Sequence, residues 1–97
     1  MPIPQPNSAI TVANLVPVPS SATSVTLFPQ AGSGSARVIW NDSTATLYVK
    51  FGATASTTSF TVKLAPGAYY EFPQPLYVGQ VDGIWDSANG FARLTSW

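Results

Sequence analysis

Few residues in this 97-residue chain could support catalysis, because it contains no cysteine and no histidine. The absence of both residues removes the usual nucleophiles, general bases and zinc ligands. Glu71, Asp82 and Asp86 could supply the carboxylate pair of a glycosidase, and Asp82 with Asp86 could bind calcium. Asp42 and Asp86 stand beside turns, where an aspartate more often bonds its own loop amides. We therefore expect no catalytic residue, no cofactor and no metal site.

Aromatic residues offer a second kind of chemistry, the stacking of sugar rings. The six that could form such a platform are Trp40, Trp85, Trp97, Tyr69, Tyr70 and Tyr77. Large aromatic residues at alternating strand positions more often belong to the core or to a subunit interface, which is the interpretation we favour. Trp97, the last residue, either anchors the final strand or contacts a partner.

The charge content argues against several classes of partner. Charged residues make up 8% of the chain, and four Lys and Arg are balanced by four Asp and Glu. Nucleic-acid binding needs an excess of cations that displaces the counterions of the phosphates, so we expect no nucleic-acid partner. The sequence has no apolar run of the length that a membrane span requires and no start typical of a signal peptide. We expect no membrane partner and expect the first residues to remain in the mature protein.

The N-terminal region has an unusual composition. Residues 1–36 carry no charged side chain and hold six of the nine prolines. Proline excludes helix and restricts the preceding residue to extended geometry, so residues 1–23 are predicted to form an extended arm. A soluble tail would be rich in charged residues instead. The arm is therefore predicted to bury its aliphatic side chains on a partner, namely Ile3, Ile10, Val12, Leu15, Val16 and Val18.

Residues 24–97 have the pattern of an all-β module. The clearest alternation places Leu47, Val49 and Phe51 on one face of a strand. Pro73 and Pro75 restrict the preceding strand to an edge or a crossing. The predicted strands are 25–28, 36–41, 46–51, 58–64, 68–72, 79–85 and 91–97, with the last two paired in a hairpin across Asn89 and Gly90. Short strands at this spacing predict a small antiparallel β-sandwich or barrel.

Residues 40–93 resemble a small β-module of tailed-bacteriophage structural proteins. The resemblance lies in the NDS turn at 41–43, LYVKFG at 47–52, YYEFPQP at 69–75 and DGIW…ANG at 82–90. Proteins with this module include head decoration (cement) proteins and tail-fibre or tail-associated proteins. The resemblance implies a non-enzymatic virion structural protein.

Cement proteins of this kind sit on the outer surface of the capsid as small oligomers, and an extended terminus reaches neighbouring capsid subunits. The resemblance thus implies two partners, the major capsid protein and further copies of this chain, with a trimer favoured. Two alternatives stay open. One is a tail or tail-fibre component that docks by its arm, and the other is a carbohydrate-binding module.

Overall fold

Short runs of β-branched and aromatic residues, interrupted by Gly, Pro, Ser and Asp, form the strands of this chain. The computed structural model describes residues 9–97, which contain eight strands and no helix. The strands are β1 (Asn14–Pro19), β2 (Val25–Phe28), β3 (Arg37–Ser43), β4 (Leu47–Phe51), β5 (Val62–Leu64), β6 (Tyr69–Glu71), β7 (Val81–Trp85) and β8 (Gly90–Ser96). The predicted all-β class is confirmed.

The strands form two antiparallel sheets that pack face to face. Sheet A has the order β1-β8-β3-β6, and sheet B has the order β2-β7-β4-β5. The chain resembles one long hairpin with its tip at β4 and β5, because β1 pairs with β8, β2 with β7, β3 with β6 and β4 with β5. Wound into two sheets, this order is that of an eight-stranded jelly roll. The predicted sandwich is confirmed, and β6 is the edge strand that Pro73 and Pro75 indicated.

The predicted hairpin between the last two strands is wrong. Strand β7 pairs with β2 and β4, whereas β8 pairs with β1 and β3, so residues 86–89 cross from one sheet to the other. Gly90 has a φ of 154° and lies against the backbone of Asp42 and Ser43, where a Cβ would not fit. Gly90 thus allows β8 to approach β3 closely. It is not part of a two-residue hairpin turn. The NDS segment is part of β3 and not a turn.

Part of the predicted arm belongs to sheet A. Residues Asn14 to Pro19 pair antiparallel with β8, from Asn14 opposite Ser96 to Pro19 opposite Phe91. The amide of Ser20 donates to the carbonyl of Gly90 at 2.8 Å, so the even-numbered residues of this segment donate to β8. Pro17 and Pro19 therefore place their nitrogens at the free edge, where no donor is needed. Residues 9–13 continue beyond the paired part of β1.

The core lies between the sheets and is closed at one end by aromatic rings. Leu47 and Val49 are fully buried, which confirms the alternation predicted for β4. The ring of Phe51 stacks on both Phe72 and Tyr77, with centroid distances of 4.8 Å and 4.6 Å. Such pairs contribute about 0.5–1.5 kcal/mol beyond the burial of their area.

A buried arginine closes the same end of the sandwich. The guanidinium of Arg37 lies 4.8 Å from the ring centroid of Phe28. It donates to four backbone carbonyls, those of Tyr77 (3.1 Å), Gly79 (2.8 Å), Pro29 (3.0 Å) and Val78 (3.3 Å). Burial lowers the pKa of Arg37, and the carbonyl dipoles stabilise its charge in place of a carboxylate. The arginine thereby fixes the loop that leads into β7.

A fully buried amide joins the two sheets. The side-chain nitrogen of Asn41 donates to three backbone carbonyls, those of Ala45 (2.8 Å), Leu64 (3.1 Å) and Ala65 (3.1 Å). Its oxygen accepts from the hydroxyl of Ser43 at 2.7 Å and from the indole of Trp85 at 3.2 Å. Among residues 9–97, every buried side-chain nitrogen and oxygen has a partner.

Replacing Asn41 by alanine should destabilise the fold strongly, because it leaves the buried Trp85 indole without its acceptor and removes a donor from each of three carbonyls. We expect Asn41→Ala to lower the free energy of unfolding by about 2–4 kcal/mol, measured by urea denaturation. The exposed Asn14 on β1 is the control, and Asn14→Ala should change stability by less than about 0.5 kcal/mol. Equal effects of the two substitutions would contradict this role of Asn41.

Candidate functional site

The acidic residues considered as catalytic lie on different parts of the fold. Glu71 is on the outer side of sheet A in β6, whereas Asp82 is buried in β7 of sheet B and Asp86 is exposed after β7. The Asp82 carboxylate accepts from the amide of Gln80 at 2.9 Å and from the hydroxyl of Ser24 at 3.5 Å. Residues 9–97 contain no group of three or more His, Cys, Asp or Glu that could hold a metal ion. Because Glu71 and Asp82 lie on different sheets, the sandwich separates their carboxylates.

The structure divides the six aromatic residues proposed as a sugar platform. Trp85 is only 1% exposed in the core, and Tyr70 and Tyr77 pack against the core. Trp40 and Tyr69 are 45% and 66% exposed and do not belong to the core. They lie opposite each other on β3 and β6. The platform therefore reduces to this pair, since Trp97 lies apart at the end of β8.

The outward-facing residues of sheet A form three rows across the strands. Pro17, Arg93, Trp40 and Tyr69 are in one row, Leu15, Thr95, Val38 and Glu71 in the second, and Pro19, Phe91 and Asp42 in the third. Residues directly opposite one another share a face of the sheet. We call these eleven residues the sheet A outer face. It is an open surface on which aromatic, aliphatic and proline side chains lie among three charged residues, Arg93, Glu71 and Asp42. Exposed apolar surfaces commonly mark interaction sites.

One ion pair lies within the sheet A outer face. The Nε of Arg93 donates to the Asp42 carboxylate at 3.0 Å, and its guanidinium lies 4.8 Å from the ring centroid of Phe91. Both charged side chains are well exposed, so the pair adds little to stability. The indole nitrogen of Trp40 donates to the carbonyl of Gly67 at 3.2 Å, which orients the ring. The face thus combines oriented aromatic rings with a carboxylate and a guanidinium that water still reaches.

The arm residues predicted to bind a partner do not share one environment. Ile3 lies outside the described residues. Val12 and Leu15 are each 73% exposed, and Ile10 and Val16 are also exposed. Val18 differs, because it packs against the chain's own core. Leu15 belongs to the sheet A outer face, whereas Val16 lies on the opposite side of β1, across from Leu94.

Two apolar depressions border this segment. A groove of about 470 Å³ runs between β1 and β2, and its apolar lining includes Val16, Leu27, Phe28, Pro29 and Leu94. A second depression is lined by Ile10, Thr11, Val12, Ala13 and Trp97. Exposed aliphatic residues therefore continue from the sandwich into residues 9–13 without a charged side chain.

Sequence reasoning did not identify the sheet A outer face. The strand ARVIWN could place either Ile39 or the pair Val38 and Trp40 inward, and the second choice looks more apolar. The structure places Arg37, Ile39 and Asn41 inward. The charged residue Asp42 could have decided between these two choices. It lies on the same side of the strand as Trp40, which indicates that this side faces outward.

The chain matches no protein-family model, no curated protein and no solved structure at a significant level. Within residues 9–97 there is no helix of sufficient length and apolar character to cross a membrane. The described residues thus present an exposed apolar strand beside a sheet face with exposed aromatic residues.

The exposures of the tryptophans can be tested by iodide quenching of fluorescence. The double variant Trp40→Phe, Trp97→Phe should retain only the emission of Trp85, which is 1% exposed and should be almost unquenched. The single variant Trp97→Phe is the control and should keep a quenchable component from Trp40. Strong quenching of the double variant would contradict the placement of Trp85 in the core.

Proposed function

We propose that this protein is a non-enzymatic virion structural protein, a capsid decoration protein that binds the outer surface of a phage head and bridges capsid subunits. The observation that carries the proposal is the exposed aliphatic strand: the backbone of residues 14–19 is fixed on sheet A, yet Leu15 and Val16 project into solvent. Exposed aliphatic residues also precede this strand, at Ile10 and Val12. The resemblance of residues 40–93 to phage structural modules supplies the class of partner, the major capsid protein.

The energetics favour attachment through this strand. Burial of an exposed aliphatic side chain contributes about 1.5–3 kcal/mol, whereas ordering a residue's backbone costs about 1–2 kcal/mol. Pairing with β8 already orders residues 14–19, so Leu15 and Val16 bind without that cost. A modest net gain per copy is multiplied when several linked copies bind one shell.

The sheet A outer face extends the proposed contact surface. Leu15 and Pro17 of β1 adjoin Thr95 and Arg93 of β8, so one partner surface can touch both the strand and the aromatic face. The jelly-roll topology also occurs in viral capsid domains and in lectins. That likeness is one of fold alone, because a single fold supports many functions.

The proposal predicts that exposed aliphatic residues control binding to the shell. In co-sedimentation with shells of the major capsid protein from the same source, the variant Leu15→Ser, Val16→Ser should bind at least about tenfold more weakly, since two apolar contacts are lost. Phe60→Ala is the matched control, because Phe60 is an exposed apolar residue beside Tyr48 of sheet B and should leave binding unchanged. Undiminished binding of the double variant would overturn the proposal, and electron microscopy of virions that shows the protein on the tail would favour a tail component.

A second function, carbohydrate binding, is favoured by one specific observation. Trp40 and Tyr69 are exposed side by side, and Arg93 with Asp42 offers hydrogen-bonding groups next to them. Titration with a panel of oligosaccharides should then change tryptophan emission in the wild type but not in Trp40→Phe. The absence of any change in the wild type would exclude this function for the sugars tested.

A further inference from the structure

Residues 9–13 precede β1 and have no neighbouring strand in the described chain. The first residue of β1, Asn14, lies opposite Ser96, which is the last residue of β8. Residues 9–13 therefore run past the end of their partner strand, and all five are exposed. Their backbone donors and acceptors meet no ladder within residues 9–97.

The composition of this segment is that of a strand and not of a linker. Its sequence, AITVA, contains three consecutive β-branched residues and has no proline, glycine or charge. Natural proteins usually protect a free edge with charges, prolines or a bulge. Pro17 and Pro19 protect the free edge of β1 in this way, but the protection begins only after Leu15.

We propose that residues 9–13 pair antiparallel with the same residues of a second copy, around a two-fold axis that passes through Thr11. In this register Ala9 lies opposite Ala13 of the second copy, Ile10 lies opposite Val12, and Thr11 lies opposite Thr11. Read in either direction, the segment has the order alanine, β-branched aliphatic residue, threonine, β-branched aliphatic residue, alanine. A two-fold antiparallel pair requires such a symmetric pattern. Cross-strand pairs of threonines are favourable, and β-branched residues such as Ile10 and Val12 favour strands.

The geometry of β1 selects the edge that is used. Even-numbered residues of β1 donate toward β8, as the bond from the Ser20 amide shows. The amide of Leu15 therefore faces the free edge, and a strand continued through residues 9–13 places the amide of Thr11 at the same edge. Pairing at that edge makes the two Thr11 residues a hydrogen-bonded pair and joins the two copies of sheet A into one continuous sheet.

The same register gives Trp97 a role. Ile10, Val12 and Trp97 line one depression together with Thr11 and Ala13. Two copies would bring these three side chains of each chain together around the axis. The exposed C-terminal tryptophan would then be part of an apolar cluster shared by both copies.

This pairing is independent of the proposed attachment to a capsid. It uses the backbone of residues 9–13, none of which belongs to the sheet A outer face. It joins two copies, whereas the resemblance of residues 40–93 implied a trimer. A failure to dimerise and a failure to bind shells are measured separately.

Disulfide trapping provides a sharp test, because the chain contains no cysteine. In full-length Thr11→Cys the two thiols should lie on residues with a Cα–Cα distance of about 5.5 Å, which a disulfide spans. We expect mild oxidation to convert this variant to covalent dimer. Ala9→Cys is the matched control: the two copies of residue 9 should be about 13 Å apart and should not crosslink with each other.

A mixture of Ala9→Cys and Ala13→Cys proteins should crosslink, because these positions are opposite each other in the proposed register. Self-crosslinking of Ala9→Cys as fast as that of Thr11→Cys would overturn the proposal, since a parallel or random encounter predicts it. The absence of a Thr11→Cys dimer would also overturn it.

Sedimentation measures the association without a crosslink. The wild-type protein should reach twice the 10.2 kDa of one chain at high concentration. Thr11→Lys places like charges opposite each other and should weaken the dimer at least about tenfold, whereas Thr58→Lys on an exposed loop should leave it unchanged. A wild-type protein that is a monomer at all concentrations, or a trimer, would overturn the proposal.

Discussion

The fold depends on the burial of one amide group, that of Asn41. This side chain bonds to backbone of the β4 and β5 region, to Ser43 on its own strand and to the Trp85 indole. All of these bonds form together only when both sheets are in place. A buried polar network of this kind is costly when partly satisfied, so it favours one arrangement of the sheets over others. The small apolar core alone would specify that arrangement less strictly.

The inward position of Asn41 also determines what the surface displays. Because side chains alternate along a strand, an inward Asn41 requires Trp40 and Asp42 to point outward. Arg37 and Ile39 are inward for the same reason, and Val38 is outward. The outward positions of Trp40 and Asp42 on the sheet A outer face therefore follow from the inward position of Asn41. Surface chemistry and interior packing are set by the same strand register.

Local patterns were sufficient to predict some elements and insufficient for others. The alternation of Leu47, Val49 and Phe51 fixed the core side of β4, and Pro73 with Pro75 indicated an edge strand. The partners of β7 and β8 were not predictable from the Asn-Gly signal, because pairing in a jelly roll joins strands that are far apart in sequence. The inward positions of the arginine and asparagine of β3 were not predictable from hydropathy, because backbone carbonyls of distant loops stabilise these side chains. Six residues of the predicted arm joined sheet A because proline permits an edge strand whose nitrogens face solvent.

The prolines of β1 have a consequence for how far a sheet of this protein can grow. A chain with so few charges has little electrostatic repulsion to prevent stacking of strands into fibrils. Pro17 and Pro19 remove every amide donor from the free edge of β1 after Leu15, so an incoming strand finds no continuous ladder there. Resistance to the addition of a further strand at this edge is thus encoded in the backbone, at Pro17 and Pro19, without any surface charge.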